Sequence, residues 1–123
     1  MKKIIYSTIF LFAGLYCCAQ LTPQPSSTQT ITQDFGMGKI NLVYSRPDVK
    51  GRKIFGGMEP YGTVWRTGAN SATVIKFTDD VSLEGKSVPA GEYGLFSIPG
   101  ENEWTIILSK QPNQWGAYNY KAS

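Results

Sequence analysis

The sequence predicts an all-β domain, an antiparallel β-sandwich or partly open barrel of about seven strands. Three observations lead there. Short runs rich in β-branched and aromatic residues recur between clusters of Gly, Pro, Asn and Asp, which is the punctuation of strands and turns. Several of these runs alternate apolar and polar residues with a period of two. No window of eleven or more residues carries a helical repeat.

The chain opens on an expected export signal, residues 1–19. Lys2 and Lys3 form a positive start, Ile4 to Tyr16 is an uncharged apolar run, and Cys17 and Ala19 place small residues before a cleavage point between Ala19 and Gln20. The run is about 13 residues, too short to span roughly 30 Å of hydrocarbon as a helix, so the mature chain is expected to hold no membrane span. A lipid anchor through Cys17 or Cys18 is the alternative, disfavoured because neither cysteine follows the small-residue context such processing needs. The expected address is periplasmic or secreted. Residues 20–30, with Pro23, Pro25, Ser26 and Ser27, read as a flexible lead-in. Residues 31–123 form the single β domain. The chain stops three residues after the aromatic-rich run Trp115 to Tyr120, which suggests truncation at the C-terminus.

Within the domain, Ile31 to Phe35 is the first strand and Lys39 to Ser45 the second, joined by a turn at Gly36 and Gly38. Ile40, Leu42 and Tyr44 share one face of the second, as a half-buried strand requires. Thr63 to Thr67 is a third, weaker candidate. Ala72 to Thr78 follows and ends at Asp79-Asp80, where Asp side chains suit a turn by bonding their own backbone. Val81 to Glu84 is short and turned by Gly85. Glu92 to Ile98 and Trp104 to Ser109 are linked across Pro99-Gly100-Glu101-Asn102. The inward set on this reading includes Ile40, Leu42, Tyr44, Ile75, Phe77, Val81, Leu83, Tyr93, Leu95, Trp104, Ile106 and Leu108. Glu92 to Ile98 is apolar on both faces, which predicts a central, covered strand.

Residues 44–70 stand apart in chemistry. All three arginines, Arg46, Arg52 and Arg66, lie there with Lys50 and Lys53 among five glycines. A guanidinium offers a planar fork to carboxylate or phosphate, and glycine lets backbone approach a ligand closely. Arg46, Arg52, Arg66, Trp65, Asn70 and Glu59 are therefore the candidate ligand-binding residues. The plainer reading has the arginines pairing with Asp48, Glu59 or backbone carbonyls to pin a long loop.

The run Tyr44-Ser-Arg-Pro, Lys50-Gly-Arg, Ile54-Phe-Gly-Gly, Pro60-Tyr-Gly and Val64-Trp-Arg-Thr-Gly-Ala-Asn resembles the family known as domain of unknown function 2911. Val88 to Gly100, Glu103-Trp104-Thr105 and Gln114 to Tyr118 continue the likeness, which covers residues 31–120. The resemblance implies an exported protein of Gram-negative bacteria, in some members followed by helical repeats. It implies no established activity and no catalytic residues to carry over.

Composition narrows the remaining classes. Beyond the leader there is no Cys and no His, so the usual Ser-His and Cys-His nucleophile pairs cannot be built. The same absence disfavours transition metals, and no calcium-loop spacing occurs, so no metal or cofactor is expected. The net charge of +3 falls to +1 without Lys2 and Lys3, which argues against nucleic acid as a partner. Trp65, Trp104 and Trp115 could offer a platform for sugar rings; Trp104, which opens an alternating strand, reads most simply as core, while for Trp65 and Trp115 a core role is equally open. The reading leans to a non-catalytic binding module for a small anionic or carbohydrate-like ligand or an envelope-protein segment. Its rivals are a hydrolase-type enzyme using Glu59 as general base beside an arginine, and a structural or adaptor domain.

Overall fold

A computed structural model describes residues 25–121. The expected signal segment 1–19, with Cys17, Cys18 and the Ala19–Gln20 cleavage point, and lead-in residues 20–24 lie outside the described residues. The described residues are all strand, turn and loop, with no helix. The seven strands are β1 (Ser27–Phe35), β2 (Gly38–Arg46), β3 (Thr73–Phe77), β4 (Val81–Leu83), β5 (Lys86–Val88), β6 (Gly91–Ile98) and β7 (Thr105–Ser109). Five build one antiparallel sheet in the order β1-β2-β3-β6-β7, and β4 and β5 form a separate two-stranded hairpin. The sheet is open, not closed into a barrel.

The strand boundaries depart from the sequence reading in three places. Residues 27–30, expected as lead-in, already belong to β1, because Ser27 pairs with Arg46 and the backbone ladder runs unbroken to Phe35↔Gly38. Polar side chains do not prevent this, since an edge strand needs only its backbone partner on one side. Thr63 to Thr67 is not a strand. Trp65 alone makes a bridge, to Ser97, and Thr67 breaks the path with a φ of 55°. The seventh strand is instead β5, three residues that return after Gly85, whose φ is +76°.

Register places the side chains. Ile40 pairs with Phe77, Leu42 with Ile75, Ile75 with Tyr93, and Leu95 with Leu108, so these residues share one face. Phe77, Val81 and Tyr93 form the buried centre there, with Ile40, Ile75, Val88 and Leu108 packed around it. The β4–β5 hairpin supplies Val81 and Val88 as the cover. It is held in place by Asp80, whose Oδ1 accepts from the Ala90 amide at 2.7 Å, and by the Tyr93 hydroxyl donating to Pro89 O at 2.8 Å. Asp80 thus ties the far end of the hairpin at Ala90, in place of the bond to its own backbone in a turn that the sequence predicts. β6 is internal, and Tyr93, Gly94, Phe96 and Ser97 are all buried, so both its faces are covered. Phe96, wholly inaccessible, lies on the reverse face against Tyr120, with ring centroids 5.3 Å apart.

Leu83, Trp104 and Ile106 were expected inside and are instead 40%, 41% and 58% exposed. Alternation identifies the apolar face of a strand, but it does not say what covers that face. A two-stranded hairpin is too small to cover all of a five-stranded sheet, and Ile106 and Trp104 lie near the uncovered edge at β7.

Candidate functional site

The site owes its position to a difference in strand length. β3 begins at Thr73, opposite Leu95 and one residue beyond the Val43↔Val74 pair, while β2 runs on to Arg46 and β6 to Ile98. The gap between β2 and β6 is filled by residues 65–72. Trp65 exchanges two backbone hydrogen bonds with Ser97 on the β6 side, at 2.7 and 2.9 Å, and the Ala69 amide donates to Ser45 O on the β2 side at 3.3 Å. Thr73 then closes the loop on itself. Its amide donates to Arg66 O at 3.1 Å, and its hydroxyl donates to Thr67 O at 2.7 Å. The Thr67 and Ser97 hydroxyls share a hydrogen bond of 2.9 Å. Packing is close at Gly68, where a Cβ would sit 3.1 Å from Ser45 O and 3.2 Å from the Thr73 hydroxyl.

The preceding segment folds over this plug as a tight turn. Glu59 and Gly57 amides donate to Ile54 O, the Met58 amide to Lys53 O, and the Gly56 amide to Glu59 O. A Cβ at Gly57 would lie 2.5 Å from Lys53 O, so the turn closes only around glycine. Phe55 is thereby set edge-on against Trp65 and Trp104, with centroids 5.6 and 4.7 Å away, and Trp65 and Trp104 are themselves 6.2 Å apart. The indole N–H of Trp65 donates to Gly68 O at 3.2 Å, which orients the ring.

Between the turn and the plug lies a concavity of about 480 Å³. Arg52, Glu59, Trp65, Arg66 and Asn70 all line it, so the fold brings together five of the six candidate residues. Arg46 is not among them. It is exposed at the end of β2, and its guanidinium donates to Gln29 Oε1 across the β1–β2 pair at 2.9 Å. Trp115 is also elsewhere, bridged to Ser71 and largely exposed.

The five residues are not equivalent. Arg52 is turned back on its own loop, with Nε donating to Val49 O at 3.0 Å and a terminal nitrogen donating to Asp48 O. That is the loop-pinning role weighed against ligand binding. Asn70, at a φ of 58°, donates from Nδ2 to Ser26 O at 3.4 Å and so ties the start of the domain to the rim. Arg66 differs. Its Nε is buried and has no hydrogen-bond partner, and it makes no ion pair among the described residues. Glu59 is half-buried. Its carboxyl is pushed above the usual value by burial, a shift the nearby Arg66 charge opposes without overcoming. Arg66 is therefore close enough to be felt by Glu59 and still lacks a bonded partner.

Sequence reasoning missed the apolar part of the site. Val49, Ile54, Phe55 and Met58 line the same concavity. Their signal was present as apolar residues inside a Gly-rich loop, where packing alone does not demand them. Arg66 and Glu59 supply a charged donor and an acid, and Trp65 and Phe55 supply a flat apolar wall. That combination is typical of a small-molecule pocket, mostly apolar with a few convergent polar groups. Among the described residues no helix is long and apolar enough to cross a membrane.

A family model described as protein of unknown function (DUF2911) matches residues 26–123, and the chain belongs to that family. No curated protein and no solved structure matches it.

Proposed function

We propose that this member of the DUF2911 family is a non-catalytic binding module whose pocket takes a small ligand with an anionic group on an apolar or sugar-like body. The observation that carries the reading is Arg66. Its side chain lines the concavity as a cation with no ion-pair partner among the described residues, and an oxyanion there would supply the missing countercharge. Trp65 and Phe55 provide the surface against which the ligand body would lie. In keeping with its leader, the chain is exported and cut after Ala19, so the ligand is met in the periplasm or outside the cell. Mass spectrometry of the protein recovered from the envelope fraction tests that address.

Thermal shift against panels of carboxylates, phosphates and glycans tests the binding. A true ligand at a hundredfold its Kd adds about 2.7 kcal/mol, a rise of about 10 °C or more for a domain of this size. Arg66→Gln should abolish the rise, whereas Arg46→Ala should leave it intact, because Arg46 lies outside the pocket. If no member of any panel raises the melting point, and Arg66→Gln changes stability alone, the binding reading fails.

A further inference from the structure

The ionisable side chains that line the concavity fall into two sets. Asp48, Lys50 and Arg52 are exposed at its rim, and Arg52 is turned back onto the Asp48 and Val49 carbonyls. Glu59 and Arg66 are partly buried. Among the described residues neither makes an ion pair, yet the Arg66 charge is felt at Glu59. The sheltered part of the pocket thus holds one cation and one acid, which suits a head group of a single negative charge. A phosphate monoester carries up to two charges, and the second would meet Glu59 with no further sheltered cation to offset it. The neutral polar groups point the same way. The carbonyls of Ser26, Asp48, Val49, Ile54 and Gly68 each already accept a hydrogen bond from within the chain, and the Asn70 amide nitrogen is the donor to Ser26. A sugar needs partners for several hydroxyls, and polar groups buried without them are costly. Val49, Ile54, Phe55, Met58 and Trp65 offer carbon instead, and Phe55 and Trp65 already meet edge to face, a packing that an apolar guest extends.

We propose that the ligand is a monocarboxylic acid with an apolar body, its carboxylate set at Arg66 beside Glu59 and its body against Phe55, Met58 and Trp65. The assignment rests on the binding reading above and adds the class of ligand to it. Arg66 supplies the countercharge through its guanidinium fork. Two carboxyl groups side by side hold one proton between them, because ionising both is unfavourable. Glu59 is the one to keep it, since burial already favours its protonated form. Its O–H then donates to one ligand oxygen, and the negative charge of the ligand stays with Arg66. Above the pKa of Glu59, binding takes up a proton from solvent, so affinity falls as pH rises, by up to about tenfold per pH unit. The rim charges of Asp48, Lys50 and Arg52 lie in solvent, where they are screened and weigh less on this balance.

Isothermal titration calorimetry at about pH 5.5 and about pH 7.5 tests the proposal. The probes are an aromatic acid, 3-phenylpropionate, and a branched one, 4-methylpentanoate, set against glucuronate, phenyl phosphate and the uncharged 3-phenylpropionamide. At least one of the two apolar acids should bind about tenfold or more tighter than the other three probes, and about threefold or more tighter at the lower pH. Its heat should differ between buffers of different ionisation enthalpy, which reads the proton taken up. Glu59→Gln keeps a donor without the titration, so its affinity should be equal at the two pH values. Arg66→Gln should lose binding at both. If glucuronate or phenyl phosphate binds tighter than the apolar acids, and Arg66→Gln abolishes it, the apolar monocarboxylate is overturned while the anion pocket stands. An amide that binds as well as its acid, or no binding by any anion tested, overturns both. An affinity that ignores pH in the parent, or a pH dependence that survives in Glu59→Gln, overturns the placement of the carboxylate beside Glu59.

Discussion

Thr73→Val isolates the hydrogen bond on which the architecture of the pocket hangs. Thr73 is the first residue of β3 and 1% exposed. Its hydroxyl donates to Thr67 O at 2.7 Å, and Thr67 is held at a φ of 55°, which a β-branched residue rarely adopts. Valine has nearly the same shape, so the change opens no cavity and removes only the donor. The Thr67 carbonyl then loses its buried partner, at a cost of about 1–3 kcal/mol. Taking about 2 kcal/mol, and about 4–8 °C per kcal/mol for a domain near 100 residues, the melting point should fall by about 8–16 °C. Thermal unfolding followed by circular dichroism at neutral pH reads this directly. Thr73→Ser is the control, since it keeps the donor and loses one buried methyl, worth about 0.8 kcal/mol of transfer energy or about 3–6 °C. The reasoning is refuted if Thr73→Val melts within about 2 °C of the parent, or if the serine variant falls further than the valine one.

Two more outcomes follow from the same region. Gly57→Ala forces a Cβ to within 2.5 Å of Lys53 O, so the 53–59 turn must open; ligand binding should be lost at a stability cost of about 1–3 kcal/mol, read by thermal shift with and without ligand. Glu59 has a folded pKa raised above its ordinary 4.5 by burial, so its protonated form is the one the fold prefers. The sign follows from proton binding: between the ordinary and the raised value the folded state holds more protons, so this contribution to stability is fully present below about pH 4.5 and is lost as pH rises through the folded pKa. Glu59→Gln should therefore match the parent in acid and exceed it in melting point near neutrality, and melting curves from pH 4 to 8 that run parallel would contradict this.

How much of this could be read from residue order alone varies along the chain. The alternation of Ile40, Leu42 and Tyr44 identified β2 and its inner face, and the double-sided apolar character of residues 92–98 identified the covered internal strand β6. Both signals are local, because side-chain direction in a strand has a period of two. β5 was missed because Lys86-Ser87-Val88 is too short and too polar to show any period. Val64 and Trp65 suggested a strand through their intrinsic preference, yet only Trp65 pairs, since Thr67 and Gly68 turn the chain immediately afterwards.

The candidate site divides in the same way. Crowding of arginine, glycine and amide in residues 44–70 was visible in the sequence, and so was the chemistry those groups share. Which of them converge was not. Arg46 and Arg66 differ little in local context, but β2 carries the first to the surface beside Gln29 while the early end of β3 leaves a gap that carries the second inside. The order of residues by itself settles what each strand can present to either side. Where neighbouring strands stop relative to one another depends on contacts between segments far apart in the chain, and that non-local register decided which arginine lines the concavity with its Nε buried and unpartnered.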